Sequence, residues 1–251
     1  MMNEVPIHTK IKPAQHPDSI RGESQGAKSA RAAMTALYVA EGRIRDMHSV
    51  VKDRALLHQK QFMANLPRPP DGKHKTATAL MYDSNAANHV IDSGKPIATS
   101  ALKISDAAIA TITDQVKHLD ATIDQKITAG KNSTRGPEIR AWAAKQESPF
   151  LALGQLFQKA DENQTLIAEV LLGENFLSGI TPENKAALRS VAANVLAGPE
   201  VEARAETKVA LDHLVKSAAS FGNDMAEVFN GLASPDASAI EAITKRGDDN
   251  G

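Results

Sequence analysis

The chain has 251 residues, of which 42% are hydrophobic and only 4% aromatic, and it contains no cysteine. This length and apolar content suffice for a substantial core. The absence of cysteine excludes disulfide scaffolds, thiolate nucleophiles and cysteine-ligated metal centres. The net charge of −1 conceals an uneven distribution, because residues 1–75 carry +6 and residues 76–251 carry −7. Chance is one explanation, and an electrostatic partner for the basic part is the other.

The first 65 residues form two segments that differ in proline content and apolar periodicity and meet near residue 24. Residues 1–23 contain three prolines and no sustained apolar period, so we predict an extended arm. Residues 24–65 lack proline, and their apolar side chains recur at spacings that keep one helical face apolar. This pattern predicts one helix of about 40 residues. The proline-rich segment 66–75 then predicts a linker.

A second long helix is expected beyond this linker. A shorter helix is predicted within residues 76–92, followed by a turn at Ser93-Gly94-Lys95-Pro96. The most regular apolar stripe of the chain then runs from Ile97 to Ile127. Its mean period of about 3.75 residues predicts a helix of about 33 residues in a straight or slightly right-handed bundle. The stripe ends before Gly130.

The remaining residues predict shorter helices, most with explicit start signals. Each signal is a proline at the first helical position, in three cases after a hydroxyl residue that can act as N-cap. The signals are Pro137, Ser148-Pro149, Thr181-Pro182 and Ser234-Pro235. Further helices fit residues 165–172, 200–217 and 224–232. No segment predicts a strand.

The predicted fold is therefore all-α. We expect a hairpin or bundle of two long helices, of about 33 to 40 residues each, followed by a compact bundle of short helices and preceded by the arm. The expected domains are an arm (1–23), a long-helix domain (24–130) containing the linker, a short-helix bundle (131–247) and a tail (248–251). Helices this long with few aromatic residues are more typical of assemblies than of enzyme scaffolds.

Three patterns in the sequence resemble catalytic or metal-binding arrangements. Gly22-Glu23-Ser24-Gln25-Gly26 matches the G-x-S-x-G nucleophile motif, but no strand precedes it, so N-capping by Ser24 or a neighbour is the better interpretation. The eight histidines form no metal-binding motif. Asp120 and Asp124 share a helix face, which a solvated surface explains more simply than a cation site. We predict no catalytic residue, no cofactor and no metal site.

The sequence favours a non-catalytic structural or interaction subunit of a larger assembly, and virion-type connectors, scaffolds or internal proteins are one candidate class. Other protein subunits are the expected partners, in a homo-oligomer or a hetero-assembly. The alternatives are a secreted or regulatory helical adaptor and contact of the basic part with nucleic acid. The candidate interaction residues lie on the first long helix: Met34, Leu37, Arg43, Ile44, Arg45, Met47, Val51, Lys52 and Arg54.

The sequence predicts no membrane-spanning segment, because no apolar stretch reaches the roughly 20 residues that a bilayer requires. Residues 1–12 lack an apolar core and include Glu4, so a cleaved secretory signal is not expected. We predict synthesis in the cytoplasm. Incorporation into a particle and export without such a signal both remain open as final locations.

Overall fold

The computed structural model describes residues 15–65, 84–129, 136–173 and 179–233. Within these ranges it contains a short 3-10 helix at Pro17–Ser19, α-helices and no strand. The α-helices are α1 (Gln25–Asn65), α2 (Ser84–Thr128), α3 (Gly136–Ala144), α4 (Pro149–Phe157), α5 (Ala160–Leu172), α6 (Pro182–Leu196) and α7 (Gly198–Ala233). The all-α prediction is confirmed for the described part of the chain.

The helix predicted over residues 24–65 agrees closely with α1, but the turn predicted at residues 93–96 is wrong. Helix α2 continues through it for 45 residues, with Pro96 inside the helix. Proline removes one helical hydrogen bond and normally ends a helix. Here Gly94 is buried, and a Cβ at its position would lie 2.9 Å from the Phe229 ring and 3.6 Å from the Ile44 side chain. Packing against neighbouring helices therefore outweighs the local break signal.

The two helices predicted over residues 200–217 and 224–232 are a single helix, α7, of 36 residues. The residues between them include Gly222 and Asn223, which favour a break. However, Phe221 and Met225 are both buried, so the apolar face continues across this point. Burial of that face stabilises the uninterrupted helix.

The proline start signals at Pro149 and Pro182 are confirmed, although Ser148, predicted as an N-cap, makes no side-chain capping hydrogen bond. Helix α4 begins at Pro149 and α6 begins at Pro182, where the Thr181 hydroxyl accepts a hydrogen bond from the Asn184 amide at 3.3 Å. Helix α3 begins one residue before Pro137, and α5 begins five residues before its predicted start. Four predictions lie outside the described residues: most of the arm, the linker 66–75, the helix from Ser234 and the tail 248–251.

The chain divides into two compact units. Unit 1 comprises Met1–Ile20, Ala30–Ile109 and Asp212–Gly251. Its described core contains apolar side chains from α1, α2 and α7, and among the most deeply buried are Met34, Leu37, Ile44, Val90, Leu214, Met225 and Val228. Residues 15–20 pack within this unit, because Ile20 is buried and the His16 ring lies edge-on against Tyr38.

Unit 2 comprises Arg21–Ser29 and Ala110–Leu211. Its core joins the last turns of α2 to the short helices. The most deeply buried members of this core are Ile127, Ala143, Leu153, Phe157, Ile167, Val170, Leu188, Ala192 and Ala197.

The domain boundary predicted near residue 130 stays a prediction, and each unit combines segments that are distant in the sequence. Three helices, α1, α2 and α7, each contribute residues to both units. Helix length explains this, because 36 to 45 residues extend over roughly 54 to 68 Å at 1.5 Å per residue. A helix of that length exceeds the width of one small core.

Candidate interaction surface

Three of the candidate interaction residues on α1 belong to the core of unit 1. Met34, Leu37 and Ile44 are at most 1% exposed. The apolar face predicted on this helix therefore holds the unit together. These side chains offer no surface to another chain in this structure.

The remaining candidate residues lie in different environments. Met47 is half-buried, whereas Arg43 and Arg45 are exposed. Arg45 forms an ion pair with Glu41, which is itself buried on the same helix. The side chains of Val51, Lys52 and Arg54 lie outside the described residues. Arg43 is therefore the predicted cation that the structure places free of an ion pair with any described residue.

A second apolar face of α1 is exposed. Val39, Val50 and Leu57 are 44%, 48% and 55% exposed. Their spacings of 11 and 7 residues place them within about 20° of one another around the helix. Met34, Leu37 and Ile44 lie on the opposite side. We call this exposed surface the outer face of α1; it comprises Val39, Gly42, Arg43, Asp46, Val50, Asp53 and Leu57.

The sequence analysis missed the outer face, although its signal is present in the sequence. An amphipathic helix that packs on one side normally carries polar residues on the other. Counting residues at i, i+11 and i+18 from Val39 would have found a second apolar stripe. Gly42 lies within this stripe, and a Cβ at its position would meet nothing within 4 Å. The surface is thus open near its Val39 end.

Unit 2 has an apolar groove of its own. Its volume is about 310 Å³, and Ile139, Trp142, Leu156 and Leu166 line it, with Glu138 at the same site. Trp142 is the only tryptophan of the chain and is 42% exposed. Among the described residues, the groove is lined by one acidic side chain and by no other charged residue. This composition suits apolar contact better than acid–base chemistry.

The G-x-S-x-G segment forms the start of α1. Ser24 Oγ accepts a hydrogen bond from the Ala27 amide at 3.2 Å, as expected of an N-cap residue. The Glu206 carboxylate accepts hydrogen bonds from the amides of Glu23 and Ser24, at 3.1 and 3.0 Å. Ser24 therefore acts as a helix cap, which confirms the capping interpretation.

The glycines of this segment permit close approach to α7. Gly22 has a positive φ of 111°, and a Cβ there would lie 2.7 Å from the Glu206 carboxylate. A Cβ at Gly26 would overlap the Thr207 side chain. The motif thus reflects helix packing within unit 2.

Asp120 and Asp124 connect helices of unit 2. Asp120 lies 2.8 Å from the Arg204 guanidinium and 3.9 Å from the Lys208 ammonium of α7, and Asp124 forms an ion pair with Arg189 of α6. Cationic partners therefore occupy both carboxylates. Among the described residues, no group of three or more histidine, aspartate or glutamate side chains could hold a metal ion.

Two glutamates at helix starts have altered acidity. Hydrogen bonding to backbone amides at the start of α6, followed by the Thr181 side chain, lowers the pKa of Glu183. The Lys126 ammonium, followed by a backbone amide, lowers the pKa of Glu200 at the start of α7. Amides at helix N-termini stabilise anions in this way. Both shifts accordingly favour the charged carboxylate.

Similarity to known proteins does not indicate a function for this chain. In the described part of the chain, every helix is too short or too polar to cross a membrane. No protein-family model matches the chain, and it has no significant match among curated proteins or among solved structures.

Proposed function

We propose that this chain is a non-catalytic structural or interaction subunit that assembles through its long helices. A virion-type connector, scaffold or internal protein is one class of subunit with this build. In this proposal the long helices form a hairpin-like framework and the N-terminal arm contributes to contacts with neighbouring subunits. The expected partners are other protein subunits, which include further copies of the same chain.

One observation carries the proposal: α1 is apolar on two opposite faces. Met34, Leu37 and Ile44 are buried, whereas Val39 and Val50 are 44% and 48% exposed. One apolar face is sufficient to hold a surface helix on its core. The second apolar face is exposed instead of packed on the core, and exposed apolar patches of this kind are typical of protein–protein contact sites.

The charges on the outer face favour a protein partner over nucleic acid. Exposed Arg43 is accompanied by the exposed acids Asp46 and Asp53. Phosphate binding relies on clustered cations, and adjacent carboxylates weaken it because each acid repels the backbone phosphates. Nucleic acid is therefore the less favoured partner.

Residues 15–20 influence how the arm should be tested. The Ser217 hydroxyl donates a hydrogen bond to Gln15 at 3.4 Å, and Ile20 is 3% exposed. Removing these residues would damage unit 1 itself. A deletion of residues 1–14 leaves those contacts in place and is the appropriate variant.

The test is the mass in solution, measured by light scattering over a wide range of protein concentrations for the full chain and for the deletion of residues 1–14. We expect a mass above that of the 26.7 kDa chain that falls on dilution. A smaller mass for the deletion would assign part of the contact to the arm. A monomer at every concentration would overturn self-assembly and favour the adaptor alternative. A parallel measurement at high salt separates charge-driven from apolar association.

A further inference from the structure

The outer face of α1 carries its apolar and charged residues in a self-complementary order. From Val39 to Leu57 the face extends over about 27 Å of helix. Arg43 and Asp53 are both exposed, and neither forms an ion pair with a described residue. A surface with unpaired charges of both signs can match a copy of itself, which is the requirement of a twofold interface.

The spacing of these residues selects an orientation. If two α1 helices run antiparallel and are centred on residue 48, Val39 is level with Leu57 of the second copy. Arg43 is then level with Asp53, and Asp46 with Val50. Every opposition occurs twice because the arrangement is symmetric. Arg43 and Asp53 lie about 40° to either side of the apolar line, a distance that the long arginine side chain can cross.

The parallel arrangement is less favourable. In register, it would place Arg43 level with Arg43, Asp46 with Asp46 and Asp53 with Asp53. Like charges held close together destabilise an interface. Gly42 leaves empty space at its Cβ position, and a glycine on this face lets a second helix backbone come near in either orientation.

We infer that the outer face of α1 binds the same face of a second copy of this chain, with the two α1 helices antiparallel. The inference rests on the proposed function and specifies its contact surface and its partner. A contact through a single helix is small for a stable dimer. We therefore expect a dissociation constant of about micromolar order.

Cysteine cross-linking tests the orientation, since the natural chain contains no cysteine. Val39→Cys and Leu57→Cys are made separately in the full chain and oxidised alone and as an equal mixture. Helices 8 to 10 Å apart bring facing Cα atoms to within about 4 to 5 Å, which suits a disulfide. We expect cross-linked dimer in the mixture, up to roughly half of the dimers because random pairing makes half of them mixed. Little is expected from either variant alone.

Charge substitutions at Val50 test the register by an independent measurement. Val50→Glu places an acid against Asp46 of the second copy, and we expect the dissociation constant to rise about tenfold or more. Val50→Lys places a cation there and should weaken the dimer much less. Val215→Glu is the matched control, because Val215 lies on α7 of the same unit and is 43% exposed. Circular dichroism confirms that each variant keeps its helix content.

The outcomes separate this inference from the proposed function. Efficient cross-linking of Val39→Cys with itself would show a parallel pair and overturn the inference. An assembly that persists in Val50→Glu would also overturn it, while leaving self-assembly through another surface intact. A full chain that is monomeric at all concentrations would overturn both the inference and self-assembly. Equal weakening by Val215→Glu would show that the effect is not specific to α1.

Discussion

Both units have an apolar core, but they differ in where their described ion pairs lie. In unit 2, charged side chains connect α2 to α7 through Asp120–Arg204 and Lys126–Glu200, and α3 to α5 through Arg140–Glu169. In unit 1, the ion pairs described on the helices lie within one helix, as in Arg45–Glu41. Its helices meet through apolar and small residues, such as Gly94 against Phe229.

Helix α2 takes part in both kinds of contact. Partly exposed ion pairs contribute at most about 1 kcal/mol each, so those of unit 2 mainly determine which helix faces lie opposite each other. The close packing in unit 1 depends on shape and tolerates little added volume. Substitutions in the two units should therefore differ in size and in their response to pH.

The largest effect is expected from the apolar core of unit 2. Phe157 on α4 is fully buried, and Phe157→Ala should lower the free energy of unfolding by about 3–5 kcal/mol. Leu151→Ala is the matched control on the same helix, because Leu151 is 62% exposed and should cost less than about 0.5 kcal/mol. Urea unfolding followed by the fluorescence of Trp142, which lies in unit 2, measures both. Equal losses would contradict the assigned core.

Close packing in unit 1 can be broken at Gly94. Gly94→Leu inserts a side chain where Phe229 already lies and should destabilise the protein by about 1–3 kcal/mol. Gly42→Ala, in open space on α1, should instead stabilise it by about 0.5–1 kcal/mol. Thermal unfolding of dilute samples followed by circular dichroism compares the two. A destabilising Gly42→Ala would mean that this position is not open.

The capping contact of Glu206 should have an intermediate effect. Glu206→Ala removes the carboxylate that accepts hydrogen bonds from the amides of Glu23 and Ser24, and about 1–2 kcal/mol of stability should be lost. Glu202→Ala on the same helix is the control, since Glu202 is exposed. Urea unfolding gives both values. No difference between the two variants would rule out a stabilising role for this cap.

The smallest predicted effect is a change in how the stability of the protein depends on pH. Because Lys126 and a backbone amide lower the pKa of Glu200, its ionised form is favoured in the folded protein. The resulting stability is present above the ordinary glutamate pKa of 4.5 and is lost as pH falls below that value. Glu200→Gln should therefore reduce stability at neutral pH and flatten the acid side of its pH dependence. Unfolding midpoints between pH 3 and pH 7, on the scale of ordinary carboxyl titration, measure the change. An unchanged acid limb would refute the role of this contact.

The sequence correctly predicted features that depend on neighbouring residues, such as helix starts. Ser24, Pro149 and Pro182 mark helix starts through local geometry: the Ser24 side chain caps α1, and the fixed φ of proline suits the first position of α4 and α6. The predicted breaks at Gly94-Lys95-Pro96 and near Gly222 failed for a different reason. Contacts with residues more than 100 positions away, such as Phe229 against Gly94, decide those sites. Periodicity gives no information about such partners.

The environment of the candidate interaction residues on α1 also depends on distant contacts that the sequence pattern does not show. The apolar pattern of α1 identified a real face but could not show which apolar residues the chain itself would bury. Met34 and Ile44 are covered by other helices, whereas Val39 and Leu57 are exposed. The ion pairs of Asp120 depend on Arg204 and Lys208, which lie more than 80 residues along the chain.

The division of the long helices has a consequence for folding during translation. Unit 2 requires no residue beyond Leu211, whereas the described core of unit 1 includes Leu214 and Phe229. The ribosome adds residues at about 5–20 per second, so the remainder of α7 follows roughly 1–4 s later. During that interval the apolar faces of α1 and α2 in unit 1 lack their partner from α7. Until that helix emerges from the exit tunnel, these apolar faces are exposed, and transiently exposed apolar surface of this kind is prone to aggregation.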